Sequence, residues 1–375
     1  MSSVSPITVS QAQNQVQWDS FLSAQRYRPF LQSWTMGEVY RDTRQEPIRL
    51  EVRENGEIVA ICQAILVPAK RGRHLAIPYG PILGNQKPET RNQILEILLN
   101  ELVRIGKEHH CSFIRMSPFW PETQYSNPQS PIPHTLPSPL HLLAEHVWYL
   151  PLVTPDPWQQ PETRNQKPET AGEEALLAAM RKTTRNLIRR AEKDGVEIVA
   201  SANPVNDVGQ FIALHEETRK RHHFTPYTNT FFRSQVTRFA ARGECTVYLA
   251  RYQGEVAAAS IHIHAFGETS YHHGASTSKF AKIPASYLLQ WTAICDALKR
   301  GDHVYNFWGI APVATGEDSK TKIQDPKHPF AGVTLFKTGF GGNLLPLVHC
   351  MDFPLTRTYT FTRLFEQLRK WRRGF

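Results

Sequence analysis

Apolar and polar residues alternate along this chain in patterns that indicate strands and helices in a repeated order. Two apolar runs, Ile48–Val52 and Ile58–Val67, flank an Asn-Gly turn, which is the strongest short signal of a β-hairpin. Arg91–Glu108 then shows the helical spacing of an amphipathic segment. A second hairpin, Thr246–Tyr252 with Val256–His264, appears later in the chain. Hairpin, helix and strand in each half predict two related α+β units.

The second half contains further periodic segments. Three have helical spacing: Glu173–Asp194, Ala285–Arg300 and the C-terminal Thr356–Phe375. A glycine follows each of the first two, as expected at a helix end. Tyr305–Trp308 is a short apolar run typical of a buried strand, and Asn343–Phe353 is predicted to return as one strand to the first unit.

The bulk composition suits a packed two-domain protein. The chain has 375 residues, of which 41% are hydrophobic and 21% charged, so it is large enough for two cores. No apolar run is long enough to span a bilayer. Residues 1–17 lack the basic and apolar regions of a signal peptide. The sequence therefore predicts a cytoplasmic protein.

Charge and cysteine usage narrow the classes of partner and site. A net charge of +9 favours an anionic partner such as nucleic acid, phosphates or a membrane surface. The five cysteines are scattered without a CxxC pair, which argues against a disulfide framework and a zinc site. Three pairs of histidines are adjacent in sequence and so do not share a helix or strand face. We therefore expect neither a metal ion nor a cofactor.

Lys337 is the residue whose surroundings indicate chemistry. Phe336 precedes it, and Gly339 and Phe340 follow closely. A lysine among aromatic residues and glycines is incompletely solvated, so its charge acts strongly on an oxyanion or a phosphate. The alternative is an edge-strand lysine whose stem packs on Phe336 while its ammonium group reaches water.

Four motifs occur in order in this stretch: YHHGAS at 271–276, PASYLLQW at 284–291, YNFWGIAP at 305–312 and GVTLFKTGFGG at 332–342. Together they resemble the second domain of the FemABX family, aminoacyl-tRNA-dependent transferases that build peptidoglycan interpeptide bridges. The resemblance implies two tandem GNAT-like (acyl-CoA N-acyltransferase-like) domains. It also implies that Lys337 and Phe336 lie at the reaction centre.

The same resemblance implies the residues that bind substrate. Arg221 matches an arginine that reaches substrate phosphates, although a cation offsetting the dipole at a helix C-terminus is an equal alternative. Tyr227, Tyr271 and Trp308 are expected to line the pocket. Near the N-terminus a family lysine that contacts phosphate has no clear equivalent, and either Arg41 or Arg44 is the candidate replacement.

A basic face marks the predicted helix Glu173–Asp194. Residues 180–198, MRKTTRNLIRRAEKDGVEI, resemble the opening of the family's second domain, and the resemblance implies contact with tRNA or substrate phosphates. A solvated surface is the alternative, although the charges are of one sign. The residues concerned are Arg181, Lys182, Arg185 and Arg189.

The resemblance also implies the domain bounds. Residues 1–150 with 343–375 would bind the substrate precursor, and residues 151–342 would form the catalytic, tRNA-facing domain. The C-terminal helix carries clustered basic residues beside apolar ones. It is expected either to lie on the inner face of the plasma membrane or to dock on the protein with a basic outer face.

Three functions remain open at this stage. The first is amino-acid transfer by a monomeric enzyme from aminoacyl-tRNA to the stem-peptide amine of a lipid-linked or UDP-linked peptidoglycan precursor. The second is acyl-CoA-dependent N-acyl transfer, but the pyrophosphate-binding loop R/Q-x-x-G-x-G/A does not occur after a strand and before a helix. The third is a non-catalytic module that binds RNA or membrane.

Overall fold

Among the described residues two large β-sheets form from the two hairpin regions of the sequence, and a third sheet has only two strands. The computed structural model describes residues 7–69, 72–85, 87–124, 132–159, 169–222, 227–313 and 323–373. The chain divides into one unit of Met1–Glu145 with Pro346–Phe375 and a second of His146–Leu345. Among the described residues no helix has the length and apolar character needed to cross a membrane.

The described residues up to Pro137 contain seven strands, three α-helices and two 3-10 turns. The elements are β1 (Thr8–Gln11), α1 (Gln15–Ser23), a 3-10 turn (Phe30–Gln32), α2 (Trp34–Asp42), β2 (Pro47–Glu54), β3 (Glu57–Val67), β4 (His74–Tyr79), β5 (Ile82–Leu83), α3 (Pro88–Glu108), β6 (Phe113–Pro118), a 3-10 turn (Glu122–Gln124) and β7 (Leu136–Pro137).

The second unit and the C-terminal return complete the fold. Their elements are β8 (His146–Pro151), β9 (Val153–Thr154), β10 (Glu169–Thr170), α4 (Glu173–Ala179), α5 (Lys182–Lys193), β11 (Glu197–Ala200), α6 (Pro204–His222), α7 (Asn229–Ala240), β12 (Cys245–Tyr252), β13 (Glu255–Ala265), β14 (Glu268–Ser276), α8 (Ala285–Arg300), β15 (Val304–Gly309), α9 (Ala331–Thr338), β16 (Asn343–Pro346), β17 (Met351–Pro354) and α10 (Tyr359–Arg373).

The first unit is a mixed sheet in the order β1-β2-β3-β4-β6-β17-β7, with β5 paired to β3. Its core packs the apolar face of α3 onto the sheet through Ile94, Leu98 and Leu102, which are buried. These positions repeat at helical spacing, as the sequence predicts.

The side-chain amides of Gln32 and Gln63 are buried in the first unit and form hydrogen bonds there. The Gln32 side chain accepts a hydrogen bond through Oε1 from the Gln63 backbone N–H (2.8 Å). The Nε2 of Gln32 donates to the Pro78 carbonyl (2.7 Å). A Cβ on Gly80 would lie 2.6 Å from the Gln32 amide, so that position requires glycine. The amide of Gln63 in turn donates to the Leu31 and Ser33 carbonyls (both 3.1 Å), so these contacts fix β3 against the chain before α2.

The second unit is a sheet in the order β11-β12-β13-β14-β15-β8-β16. In the first unit the parallel pair β4 and β6 stays paired over six positions. In the second unit the parallel pair β14 and β15 is joined over three positions that end at Ser270 with Asn306. Beyond them β14 continues to Ser276 along β13, and β15 continues to Gly309 along β8. The second sheet therefore opens between β14 and β15.

The prediction of one helix over Glu173–Asp194 is wrong. The chain is extended at Met180 and Arg181, with ψ of 152° and 141°, and this break separates α4 from α5. The Arg181 backbone N–H donates to the Gly339 carbonyl (3.0 Å). A Cβ on Gly339 would overlap the Thr184 hydroxyl. The end of α9 thus packs into the break, and this tertiary contact overrides the local helical pattern.

The prediction of one strand over Asn343–Phe353 is also wrong. β16 belongs to the sheet of the second unit and β17 to that of the first. Between them the backbone N–H of Leu347 bonds to the Glu145 carbonyl (2.8 Å), and that of Val348 bonds to the Trp120 carbonyl (2.9 Å). The connecting residues therefore satisfy their backbone outside both sheets, which a run of apolar residues does not reveal.

Candidate active site

Lys337 lies where β14 and β15 separate. It occupies the last turn of α9 and is 7% exposed. Its Nζ donates to the Gly309 carbonyl at the end of β15 (2.7 Å) and lies 5.7 Å from the centroid of the Tyr271 ring on β14. The lysine thus contacts both strands of the opening. The alternative of an edge-strand lysine with a solvated head is wrong, because the residue is helical and buried.

Burial sets the charge state of Lys337. Loss of water lowers the pKa of this lysine from 10.5 to about 7. Protonated and neutral forms are therefore both populated near neutral pH. An ammonium group at this site acts on an incoming anion with little solvent screening.

Aromatic packing and a side-chain hydrogen bond hold α9 in place. The Phe336 ring lies edge-on to Tyr287 (4.9 Å between centroids) and to Phe340 (5.4 Å). The Thr334 hydroxyl accepts a hydrogen bond from the Ala311 backbone N–H (2.8 Å), which ties α9 to the chain after β15. These contacts fix the lysine relative to the opening, and such positioning is a requirement for electrostatic catalysis.

Gly274 determines where Tyr271 lies, a role that sequence reasoning missed. A Cβ on Gly274 would overlap the Tyr271 hydroxyl oxygen. The aromatic ring therefore folds back along its own strand, and the His262 ring stacks near it (5.4 Å). The available signal was a glycine inside a strand pattern, which marks a close approach by another group.

Trp308 and Tyr227 both lie near the ring of His272. Trp308 has a positive φ of 68°, and its backbone N–H donates to the Asn306 side chain (2.8 Å). The Trp308 ring lies 4.8 Å from that of His272, and the Tyr227 ring lies 6.5 Å from it. Burial lowers the pKa of His272 to about 3, so this aromatic wall is uncharged at neutral pH. The backbone strain at a bulky residue is typical of functional positions.

Arg221 lies near the end of β14. Its Nη2 donates to the Ser276 carbonyl (3.2 Å), and its Nη1 is 3.9 Å from Glu217. Arg221 and Tyr227 thus reach the same strand as Tyr271. Five of the predicted residues, Lys337, Tyr271, Trp308, Tyr227 and Arg221, therefore lie on or against β14 and β15, the two strands that separate.

The four basic residues of the broken helix have different surroundings. The Arg181 guanidinium bonds to the Leu335 carbonyl and to the Thr338 hydroxyl (3.0 Å). Arg185 Nη1 bonds to the carbonyls at the end of α4, including that of Leu177 (3.1 Å). Both arginines thus help to hold the helix break. Lys182 and Arg189, in contrast, have exposed side chains.

Arg41 lies on α2 in the first unit. It forms ion pairs with Glu38 and with Glu46 (3.0 Å), and its side chain is 43% exposed. Hydrogen bonding to Glu46 is the main cause that raises the pKa of Arg41. A phosphate at this position would therefore compete with two carboxylates.

Within the described ranges one group of residues could hold a metal ion, namely His141, Glu145 and His349, whose ligand atoms lie within 4.8 Å of one another. The Nδ1 atoms of the two histidines lie 2.8 and 2.9 Å from the Glu145 carboxylate. The Cys350 backbone N–H also donates to it (2.8 Å). These contacts satisfy the carboxylate and join two distant segments of the first unit. Their spacing in sequence shows no metal-binding motif.

Solved structures with the same fold define the class of protein. FemX superimposes with a TM-score of 0.71 at 15% identity, covering 96% of this chain and 100% of FemX. A tandem GNAT protein from the clavulanic acid biosynthesis pathway gives 0.54 at 12% identity, covering 94% of this chain and 99% of that one. These structures confirm the predicted fold class of two tandem GNAT-like domains.

The family follows from the sequence comparisons. The FemAB family model matches residues 14–255 and 241–367. The chain belongs to the FemAB family. Aminoacyltransferase FemA of Staphylococcus epidermidis is 28% identical over 104 residues, which are 28% of this chain and 22% of that protein. The match thus spans about a fifth of the curated relative.

Proposed function

We propose that this protein transfers an amino acid from aminoacyl-tRNA to the stem-peptide amine of a peptidoglycan precursor. The family and the name of its curated relative support the reaction class. The observation that carries the proposal is the buried Lys337 at the opening between β14 and β15. We place the reaction in the cytoplasm and propose a monomeric enzyme.

The reaction needs positioning and electrostatic stabilisation more than covalent help. The amine attacks the ester carbonyl carbon, a C–N bond forms, and the bond to the ribose oxygen of the tRNA breaks. The proton lost by the amine ends on that ribose oxygen. Lys337 stabilises the oxyanion of the tetrahedral intermediate, and its burial strengthens this interaction. We assign Phe336 the role of holding α9 and with it the lysine.

The surrounding residues suit the two substrates. Tyr271, Trp308 and Tyr227 supply aromatic walls for the aminoacyl group and the stem peptide. Arg221 supplies a forked donor for phosphate. In the first unit, which we assign to the precursor, Arg41 is the candidate for a second phosphate contact.

We assign binding of tRNA to the second unit. Lys182 and Arg189 are exposed on α5, where they suit backbone phosphates, and each contact adds to the salt dependence of binding. Arg181 and Arg185 contribute charge at the same helix while holding its break. The roles are those inferred from sequence for residues 1–150 with 343–375 and for residues 151–342, and we assign them to the two units of the structure, whose bounds are 1–145 with 346–375 and 146–345.

The test is a transfer assay with defined donors and acceptors. Purified protein is incubated with tRNA charged with radiolabelled glycine, alanine or serine and with either lipid-linked or UDP-linked muropeptide. We expect label in the muropeptide. Transfer from an acyl-CoA instead, with none from any charged tRNA, would overturn the proposal. No transfer from either donor class would also count against it.

Gly274→Ala is expected to slow transfer by roughly tenfold to a hundredfold, because small displacements in a site have effects of that size. The added methyl group must displace the Tyr271 ring, whose centroid lies 5.7 Å from Lys337 Nζ. Steady-state kinetics with charged tRNA measure the effect. Gly209→Ala in α6 is the matched control, since the nearest atom would lie 4.0 Å from its Cβ.

A double variant separates displacement of Tyr271 from general damage. In a Tyr271→Ala background the clash is gone, so Gly274→Ala should add little further loss. Equal losses from Gly274→Ala in both backgrounds would show that it acts without Tyr271.

A further inference from the structure

The C-terminal helix α10 packs on the first unit through polar residues. The Arg115 guanidinium on β6 bonds to both oxygens of Glu366 (3.2 and 2.6 Å). Arg363 donates to the Pro137 carbonyl (2.7 Å), and the Tyr359 hydroxyl donates to Asp352 (2.8 Å). The inner face of the helix is thus held by ion pairs and hydrogen bonds.

The outer face of α10 is apolar, the reverse of the usual arrangement. Phe361, Leu364, Leu368 and Trp371 are 75%, 55%, 57% and 84% exposed. Their spacing of three, four and three residues places them in one stripe along the helix. A surface helix normally buries such a stripe against the core. One alternative expected from sequence is a docked helix with a basic outer face. The helix is docked, but the main feature of its outer face is the stripe of exposed apolar side chains.

Positive charge flanks the apolar stripe. Residues 359–373 contain five Lys or Arg and a single acidic residue, Glu366, whose charge is engaged by Arg115. Lys370 and Arg372 are exposed beside Trp371 near the end of the helix. Exposed leucine and aromatic residues next to basic ones are the signature of a helix that lies in a membrane interface. Tryptophan in particular favours the headgroup region.

We propose that α10 binds the surface of an anionic lipid bilayer, with its apolar stripe inserted among the headgroups and its basic residues on the lipid phosphates. The positive charge of the helix favours an anionic lipid surface, rather than a second copy of the chain, as the partner that covers the stripe. Two copies meeting through the stripe would bring two strongly basic helices together, whereas anionic lipid attracts them. This step rests on the proposed function: the surface brings the enzyme to a lipid-linked acceptor in the bilayer, whereas transfer to the soluble UDP-linked acceptor does not need it.

Vesicle sedimentation of the full chain tests the proposal without any substrate. We expect binding to vesicles rich in phosphatidylglycerol and weak binding to phosphatidylcholine alone, with binding falling as salt increases. A triple variant, Leu364→Ser with Leu368→Ser and Trp371→Ser, should lose binding by at least about tenfold, because burying one large apolar side chain already changes partitioning by roughly that factor.

Matched variants separate the contributions of stripe and charge. Val16→Ser removes an equally exposed apolar residue elsewhere in the first unit, where the side chain is 74% exposed, and should leave binding unchanged. Lys370→Gln with Arg372→Gln should weaken binding to anionic vesicles and reduce its salt dependence.

Three outcomes would overturn the proposal. They are absence of wild-type binding to anionic vesicles, undiminished binding by the triple variant, and a wild-type dimer that the triple variant converts to monomer without any lipid binding. Transfer to the soluble UDP-linked acceptor, measured in parallel, reports on the proposed function separately. The triple variant should keep that activity, so loss of membrane binding and failure of the reaction are distinguishable.

Discussion

Lys337→Met is expected to reduce amino-acid transfer by roughly a hundredfold to a thousandfold, the usual effect of removing one donor to an oxyanion. The Nζ group lies between Gly309 and Tyr271, at the opening of the second sheet. Methionine preserves the length and apolar stem of the side chain. The loss should therefore appear mainly in kcat, because the charge acts on the transition state more than on bound substrate.

The same variant is expected to increase the free energy of unfolding. Burial lowers the pKa of Lys337 from 10.5 to about 7, so the unfolded chain holds one more proton than the folded one between these values. Stability therefore rises with pH across that window, and below about pH 7 the folded state carries the full cost of the buried charge. Methionine removes this cost, so its advantage should be largest below pH 7 and vanish near pH 10.5.

Together the two effects distinguish a catalytic lysine from a structural one. Urea unfolding across pH 6 to 10, about the window in which this lysine titrates, measures stability, and the transfer assay measures rate. Lys299→Met is the control, since that lysine is 70% exposed on α8 and its pair with Asp296 is long at 3.8 Å. A variant that loses both activity and stability at pH 7 would indicate that Lys337 mainly holds the fold.

The sequence predicts those elements whose determinants are local. Ala285–Arg300 has apolar residues at helical spacing and is followed by Gly301 in the left-handed region, and the structure confirms this helix with the same bounds. The hairpin β2–β3 is likewise specified by its Asn-Gly turn. Neither depends on residues far away in the chain.

The geometry of the site depends on contacts that local patterns do not contain. Tyr271 and Lys337 are adjacent in space because two parallel strands lose their pairing after three positions. A resemblance of motifs identified both residues, but it did not predict that Lys337 is on a helix or that Gly274 determines the position of the tyrosine. The break at Arg181 has the same origin, because Gly339 from α9 occupies it.

The orientation of α10 likewise could not be predicted from local sequence patterns. The sequence shows that this helix has both basic and apolar residues. Which face packs on the first unit depends on residues that are far away in the chain. Arg115 on β6 forms an ion pair with Glu366, and Asp352 on β17 accepts a hydrogen bond from the Tyr359 hydroxyl. Ion pairs and hydrogen bonds thus hold the polar face inward, against the expectation from apolar periodicity alone.

Asp352→Ala is expected to lower the free energy of unfolding of the first unit by about 3–5 kcal/mol, because it leaves a buried cation with too few partners. Asp352 is fully buried, and its two oxygens accept from Arg115 Nε (2.7 Å) and Nη2 (2.8 Å). The Tyr359 hydroxyl donates to the same carboxylate. Urea unfolding, with hydrogen exchange of β6 and β17 to report on this unit, measures the loss.

Two comparisons test the reason for that loss. Glu46→Ala breaks an exposed ion pair with Arg41 in the same unit and should change stability by no more than about 1 kcal/mol.

Replacing both buried partners, as Arg115→Met with Asp352→Leu, should recover much of the loss in β6 and β17, since the cost arises from an unpaired charge rather than from a missing attraction. Glu366 would then lose its partner on β6, so α10 should lose its hydrogen-exchange protection even where the sheet regains it. An equal effect of Asp352→Ala and Glu46→Ala would mean that the Arg115 cluster does not hold the sheet.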